Sequence, residues 1–251
     1  MKSRYKIVLL FLFFVSWSYA QDLPSIQTDR PDQTECPFIT PKGYFQFENG
    51  FSYEKTAKGS NEIIAPTVLA KLGINDHFEL RLITEFVINK ENANQVSGIN
   101  PVFLGFKTRL FEERGIIPVT SFIGHIGIPK LASKNFQTTY YTPEFRFTMQ
   151  HTLSEKQTLS YNLGAEWDGI TPEPTFIYTL TTGYTFSEKI SGYVELYGFL
   201  PQYQEPDHRF DAGLNYLFND NHQLDISGGI GISDTSPDYF LALGYSFRFK
   251  I

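Results

Sequence analysis

The chain has 251 residues, with 21 Lys and Arg against 27 Asp and Glu, five histidines and one cysteine. Its acidic balance lacks the basic footprint of a nucleic-acid binder. The lone Cys36 leaves no partner for an internal disulfide or a cysteine zinc site.

Residues 1–20 read as a secretory signal peptide. Lys2, Arg4 and Lys6 form a positive start, 7–15 are uniformly apolar, and Ser18-Tyr19-Ala20 offers small residues for cleavage before Gln21. The apolar run is shorter than the roughly 20 residues of a spanning helix, and no cysteine follows the cleavage site to carry a lipid anchor. Without those three bases the balance is 18 against 27. Nothing later in the sequence approaches a spanning helix. A membrane protein exported this way has to cross as a closed barrel, because lipid does not tolerate open strand edges.

Residues 21–43 form an arm. Pro24, Pro31, Pro37 and Pro41 sit among Asp22, Asp29, Arg30, Asp32 and Glu35 without alternation. Proline removes ladder donors, so this segment is not a central strand.

From 44 to 251 about twelve segments alternate apolar and polar residues, the period of a strand with one greasy and one wet face. Strand 1, 44–54, sets Phe45, Phe47, Phe51 and Tyr53 against Gln46, Glu48, Ser52 and Glu54. Strand 2, 62–74, is the least regular and is expected to turn Ile64, Val68, Leu72 and Ile74 outward. Strand 3, 77–88, opposes Phe78, Leu80, Leu82 and Phe86 to His77, Glu79, Arg81 and Glu85, and a polar loop, 89–98, follows. Strand 4, 100–111, carries Lys107 and Arg109 on its polar face; strand 5, 116–128, Ser121 and His125; strand 6, 139–151, Glu144 and Arg146. Strand 7, 158–168, carries Glu166 and Asp168; strand 8, 175–186, aligns Phe176, Tyr178, Leu180, Tyr184 and Phe186; strand 9, 190–200, carries Glu195. Strand 10, 208–218, carries Asp211; strand 11, 222–232, Asp225; strand 12, 239–250, Arg248.

The connectors after strands 2, 4, 6, 8 and 10 are tight, whereas those after 3, 5, 7, 9 and 11 are longer. Short periplasmic turns alternating with longer external loops, an even strand count and a closing strand of alternating aromatics describe a transmembrane antiparallel β-barrel of a Gram-negative outer membrane. Its last residue is Ile251 rather than Phe. A secreted sandwich or lipocalin-like barrel would also alternate. The uniform strand length, near the ~9–11 residues of a tilted membrane strand, and aromatics gathered at strand ends count against it.

The arm contains Thr28-Asp29-Arg30-Pro31-Asp32 and runs through Pro41-Lys42-Gly43-Tyr44-Phe45-Gln46-Phe47-Glu48; Gly124-His125-Ile126-Gly127-Ile128-Pro129 lies downstream. These stretches resemble the family of outer-membrane transporters named after the MetA pathway of phenol degradation. The resemblance covers most of the chain after the signal peptide and is most specific over residues 27–48. It implies an outer-membrane barrel with a transport role, and it does not make phenol the solute.

Catalytic signals are sparse. None of the five histidines is followed at the second position by the serine of a barrel phospholipase, and Asp207-His208 is a lone pair on a loop. No spacing suits a metal or a cofactor, and the run 228–231, rich in glycine, lies inside a strand. The expected site is therefore the polar face. Arg81, Glu85, Lys107, Arg109, Glu144, Arg146, Glu166, Asp168, Glu195, Asp211, Asp225 and Arg248 are expected to point into the lumen, as ion pairs that fill it or as the lining of a water path. Asp29, Arg30 and Asp32 are expected to enter that lumen as a plug, with a periplasmic tether as the alternative. The function this supports is a monomeric, non-enzymatic channel for passive diffusion of small solutes, hydrophobic or aromatic ones included, held in outer-membrane lipid. The alternatives are a closed structural or surface-interaction barrel and, less favoured, a barrel hydrolase.

Overall fold

A computed structural model describes residues 23–56 and 60–251; the expected signal peptide lies outside them. Thirteen strands are present among the described residues. They are β1 (Tyr44–Lys55), β2 (Ser60–Asn75), β3 (Phe78–Glu91), β4 (Asn94–Ile99), β5 (Val102–Phe111), β6 (Val119–Ile128), β7 (Thr142–Thr152), β8 (Gln157–Glu166), β9 (Thr175–Thr185), β10 (Ile190–Pro201), β11 (Asp207–Asn219), β12 (His222–Gly231) and β13 (Tyr239–Lys250). Each pairs antiparallel with its neighbours, and β1 pairs with β13 from Tyr44↔Lys250 to Lys55↔Tyr239, so the sheet closes. Twelve strands form the ring.

β4 is the addition. The segment expected as a loop at 89–98 is a hairpin: β3 runs on to Glu91, Asn92 takes a positive φ of 54°, and β4 folds back along β3 with Glu91↔Asn94 in register. Asparagine is among the few residues that tolerate that conformation. The chain then breaks at Asn100-Pro101, where proline has no N–H for the ladder, and β5 resumes the pairing with β3.

β2 explains its own irregularity. Ile64 pairs with Ser52 and Thr67 with Gly50, so Ala65 and Pro66 together oppose Phe51. One extra residue reverses which parity faces inward. Below the bulge Leu72 and Ile74 do face out while Leu69 and Lys71 are buried. Above it Ile64 shares the inward face of Ser52, contrary to the expectation for that residue.

Polar side chains predominate among the buried residues, and the exposed surface carries large apolar ones such as Leu80, Leu104, Leu163, Phe176, Leu214 and Leu243. A soluble barrel has the opposite arrangement. Stacked aromatics cross the outer wall, including Phe47–Phe247 at 5.5 Å and Phe78–Phe106 at 5.7 Å between ring centroids. A closed ring with an apolar belt satisfies its backbone internally and buries the belt in lipid. The connections after β2, β7, β9 and β11 are two to four residues long, while the one after β5, expected as a short turn, takes seven (112–118) because β6 starts only at Val119; all lie on the rim where Gly43 accepts from Ile251 N (2.9 Å), and by the loop rule this rim is periplasmic.

Candidate functional site

The arm enters at the periplasmic rim and turns into the lumen. Ile26 N donates to Asp220 O (2.8 Å) and Ser25 Oγ to Asp220 Oδ1 (2.8 Å) on the β11–β12 turn. Beyond that point the arm's backbone groups would be stranded, since a buried peptide group needs a partner and prolines forbid a strand. The lumen side chains supply those partners. Glu48 and Glu195 accept from Asp29 N (2.9 Å) and Gln33 N (2.7 Å); Asn162 accepts from Glu35 N (2.8 Å) and donates to Glu35 O (3.1 Å). Lys107 donates to Cys36 O (2.8 Å), Ser121 to Pro37 O (2.5 Å), Arg146 to Gln33 O (3.0 Å), and Glu79 accepts from Thr40 N (2.6 Å).

Asp29 is the centre of this docking. Its Oδ2 lies 3.0 Å from Lys71 Nζ and 2.8 Å from Arg81 Nη1, and its Oδ1 lies 2.8 Å from Lys107 Nζ. β2, β3 and β5 each contribute one of the three cations. Burial alone would raise the Asp29 pKa; Lys107, Lys71 and Arg81 together overcome that and hold it well below the usual aspartate value. Glu48 meets Lys71 at 2.5 Å, Glu79 meets Arg81 at 3.0 Å, and Glu35 of the arm meets Arg81 Nη2 at 2.6 Å. Buried charges are tolerable only when paired and hydrogen-bonded in this way.

Arg30 points to the other wall. It donates to Asp225 Oδ1 (3.1 Å) and Leu243 O (3.1 Å). Gly50 and Gly244 face each other across β1 and β13, and a Cβ at either would collide with the Arg30 guanidinium. The two glycines are the notch in which it sits. Asp32 lies near Glu195 and Asp211, and burial followed by those two carboxylates pushes its pKa well above the ordinary value. The Cys36 thiol is pushed up to about 12, by burial first and then by Asp29, so it is an unreactive group.

Of the residues expected to line the lumen, Arg81, Lys107, Arg146, Glu195, Asp211, Asp225 and Arg248 are buried on its inner face. Glu85 accepts from Asn100 (3.0 Å), Glu144 meets His125 (2.5 Å), and Glu166 stands opposite Glu144 in register. Arg109 pairs with Glu112 at the rim and donates to Pro37 O (3.2 Å), and Arg248 donates to Asn221 Oδ1 (2.8 Å). Asp168 is different. It lies past the end of β8, is exposed, and accepts from Ile170 N and Thr171 N as a loop cap. Lys71, Glu48, Glu79, Asn162 and His125 do as much at the site as the expected set. His125 accepts at Nε2 from Arg81 (2.9 Å), which leaves its Nδ1 proton for Glu144 and no nitrogen for a serine.

On the periplasmic side a cavity of about 300 Å³ remains between the arm and the wall from β8 to β12, lined by Arg30, Asp32, Thr34, Tyr193, Asn215 and Gln223 among others. Fold and interior together define an outer-membrane barrel whose lumen holds its own N-terminal arm. The chain belongs to the family described as "Putative MetA-pathway of phenol degradation", which it matches over residues 28–249. Among solved structures it is similar to the COG4313 outer membrane channel from Pseudomonas putida F1, with a TM-score of 0.68 and 16% identity over 85% of this chain and 98% of that one. It is also similar to the NanC porin (TM-score 0.53, 8% identity, 82% and 100% covered) and the KdgM porin (TM-score 0.50, 12% identity, 80% and 99% covered). No curated protein matches the sequence significantly.

Proposed function

We propose that the barrel is a passive diffusion channel for small solutes, hydrophobic or aromatic ones included, and that its arm throttles the lumen. The observation that carries this reading is the anchoring of a strand-incompetent segment inside a polar, closed ring by one carboxylate on three cations from three strands. Asp29, Arg30 and Asp32 are then the plug's contact residues. Arg81, Glu85, Lys107, Arg109, Glu144, Arg146, Glu166, Glu195, Asp211, Asp225 and Arg248 line the space around it. The barrel works as a monomer and carries out no chemistry; the engagement of both His125 nitrogens supports the second point. The similarity to channels and porins supports the first part of the reading at the level of fold.

Single-channel recording in planar bilayers tests both parts, with the mature protein beside a form lacking residues 21–40. The reading expects small steps from the first and larger ones from the second. Equal conductance would remove the throttle. Silence from both, with native β-sheet circular dichroism, would replace the channel by a closed structural or surface-interaction barrel.

A further inference from the structure

The wall opposite the Asp29 anchor has an unbalanced charge. Glu195 and Asp211 are register partners on β10 and β11, directly across from each other, an arrangement that destabilises like charges. Asp32 of the arm sits over them. Among the described residues no Lys, Arg or His nitrogen comes within 4 Å of any of these three carboxylates. Glu195 has only hydrogen bonds, from Gln33, Thr34 and Thr181, and Asp211 has one from Tyr193 (3.1 Å). The same wall holds polar atoms with no protein partner: Asp211 Oδ1, Asp225 Oδ2, Ser227 Oγ and Ser246 Oγ, on side chains at most 4% exposed. Buried polar atoms are satisfied by water when protein does not reach them. The periplasmic cavity reaches this wall at Arg30, Asp32 and Tyr193, and water entering from it is the partner that this strip of atoms along β11–β13 calls for. At the cavity mouth Lys156 and Lys189 stand exposed beside Glu188, where solvent screens them.

We propose that the permeation path runs between the arm and the wall of β10–β12, and that Asp32, Glu195 and Asp211 make it select cationic over anionic solutes. This rests on the channel reading above. A cationic group, such as the ammonium of a small organic cation, supplies the counter-charge that the three carboxylates lack, in a narrow space whose low-dielectric walls concentrate the field.

Two measurements decide it, and they separate this proposal from the one it rests on. The reversal potential of the mature protein in a KCl gradient should report K⁺ preferred over Cl⁻ by several-fold, and Asp211→Asn should reduce that preference. A neutral or Cl⁻-preferring current would overturn the selectivity while leaving the channel in place. The second measurement needs no current. In Ser227→Cys, labelling by a trimethylammonium methanethiosulfonate should exceed labelling by the sulfonate analogue by about tenfold, against the wild type with only Cys36 as background. No labelling by either reagent, or equal labelling by both, would show that the strip is dry or unselective, whether or not the barrel conducts.

Discussion

The two sides of the lumen hold one arm by opposite means. On the side of β2, β3 and β5 the barrel offers cations and the arm answers with Asp29 and Glu35, and nearly every charge is matched within 3 Å. On the side of β10–β12 the barrel offers carboxylates, which the arm meets with backbone N–H and hydroxyl groups, while Arg30 alone supplies charge. The first side is an anchor, because removing any member strands a buried charge. The second is a contact with slack, because its carboxylates are already short of partners.

The largest test of this contrast is Asp29→Ala. It leaves Lys71, Arg81 and Lys107 facing one another, and breaking a buried pair from one side costs roughly 3–5 kcal/mol. The arm should become cleavable by added protease while the strands stay resistant. Persistent protection of the arm would show that its other contacts suffice. Next is Gly244→Ala, whose Cβ collides with Arg30 and Asp225. Overpacking of this kind costs about 1–3 kcal/mol and should loosen the Arg30 side alone, read as faster hydrogen exchange at 30–34 with unchanged exchange at 35–41. Arg30→Gln should be milder, about 1 kcal/mol, because the Arg30 guanidinium is itself partly open to solvent and the glutamine amide keeps a hydrogen-bond donor for the buried Asp225.

Acidity separates the two sides by sign. The Asp29 pKa is lowered in the docked state, so its contribution to docking is complete above the ordinary aspartate value and is lost as pH falls through the depressed one. The Asp32 pKa is raised, so its docked form is favoured below the ordinary value, and that contribution is lost as pH rises through the elevated one. Protease protection of the arm should therefore survive mild acidification and fail only in strong acid. Asp32→Asn should slightly increase protection at neutral pH. A decrease would mean that the Asp32 charge aids docking.

The barrel was legible because alternation is a local property, carried by every strand whatever its partners. The arm's destination was legible as a possibility, since charges beside prolines exclude a strand yet need an environment. Ile64 was turned the wrong way because its strand reverses parity at Ala65-Pro66, and a single period drawn through β2 cannot follow both halves; Lys71 already lay on the inward parity, but the strand's irregularity kept it from standing out as a lumen charge. Glu48 and Glu79 were visible on polar faces, but alternation does not say which inward residues meet across a ring. Asp168 was misplaced because the alternation runs past the point where the ladder ends, and β4 was hidden because a hairpin of polar residues above the membrane has no apolar face to reveal it.

The arm is joined to β1 at Gly43, a few residues from its last contact with Glu79. It is therefore a ligand that cannot diffuse away, and its occupancy is set by an effective concentration on the order of millimolar. A free peptide spanning 23–42, offered to the barrel without its arm, has to approach that concentration to restore the occupied lumen. A modest intrinsic affinity is enough to keep the tethered arm in place, and weakening it by a few contacts changes the fraction of time the lumen is clear without ever losing the segment.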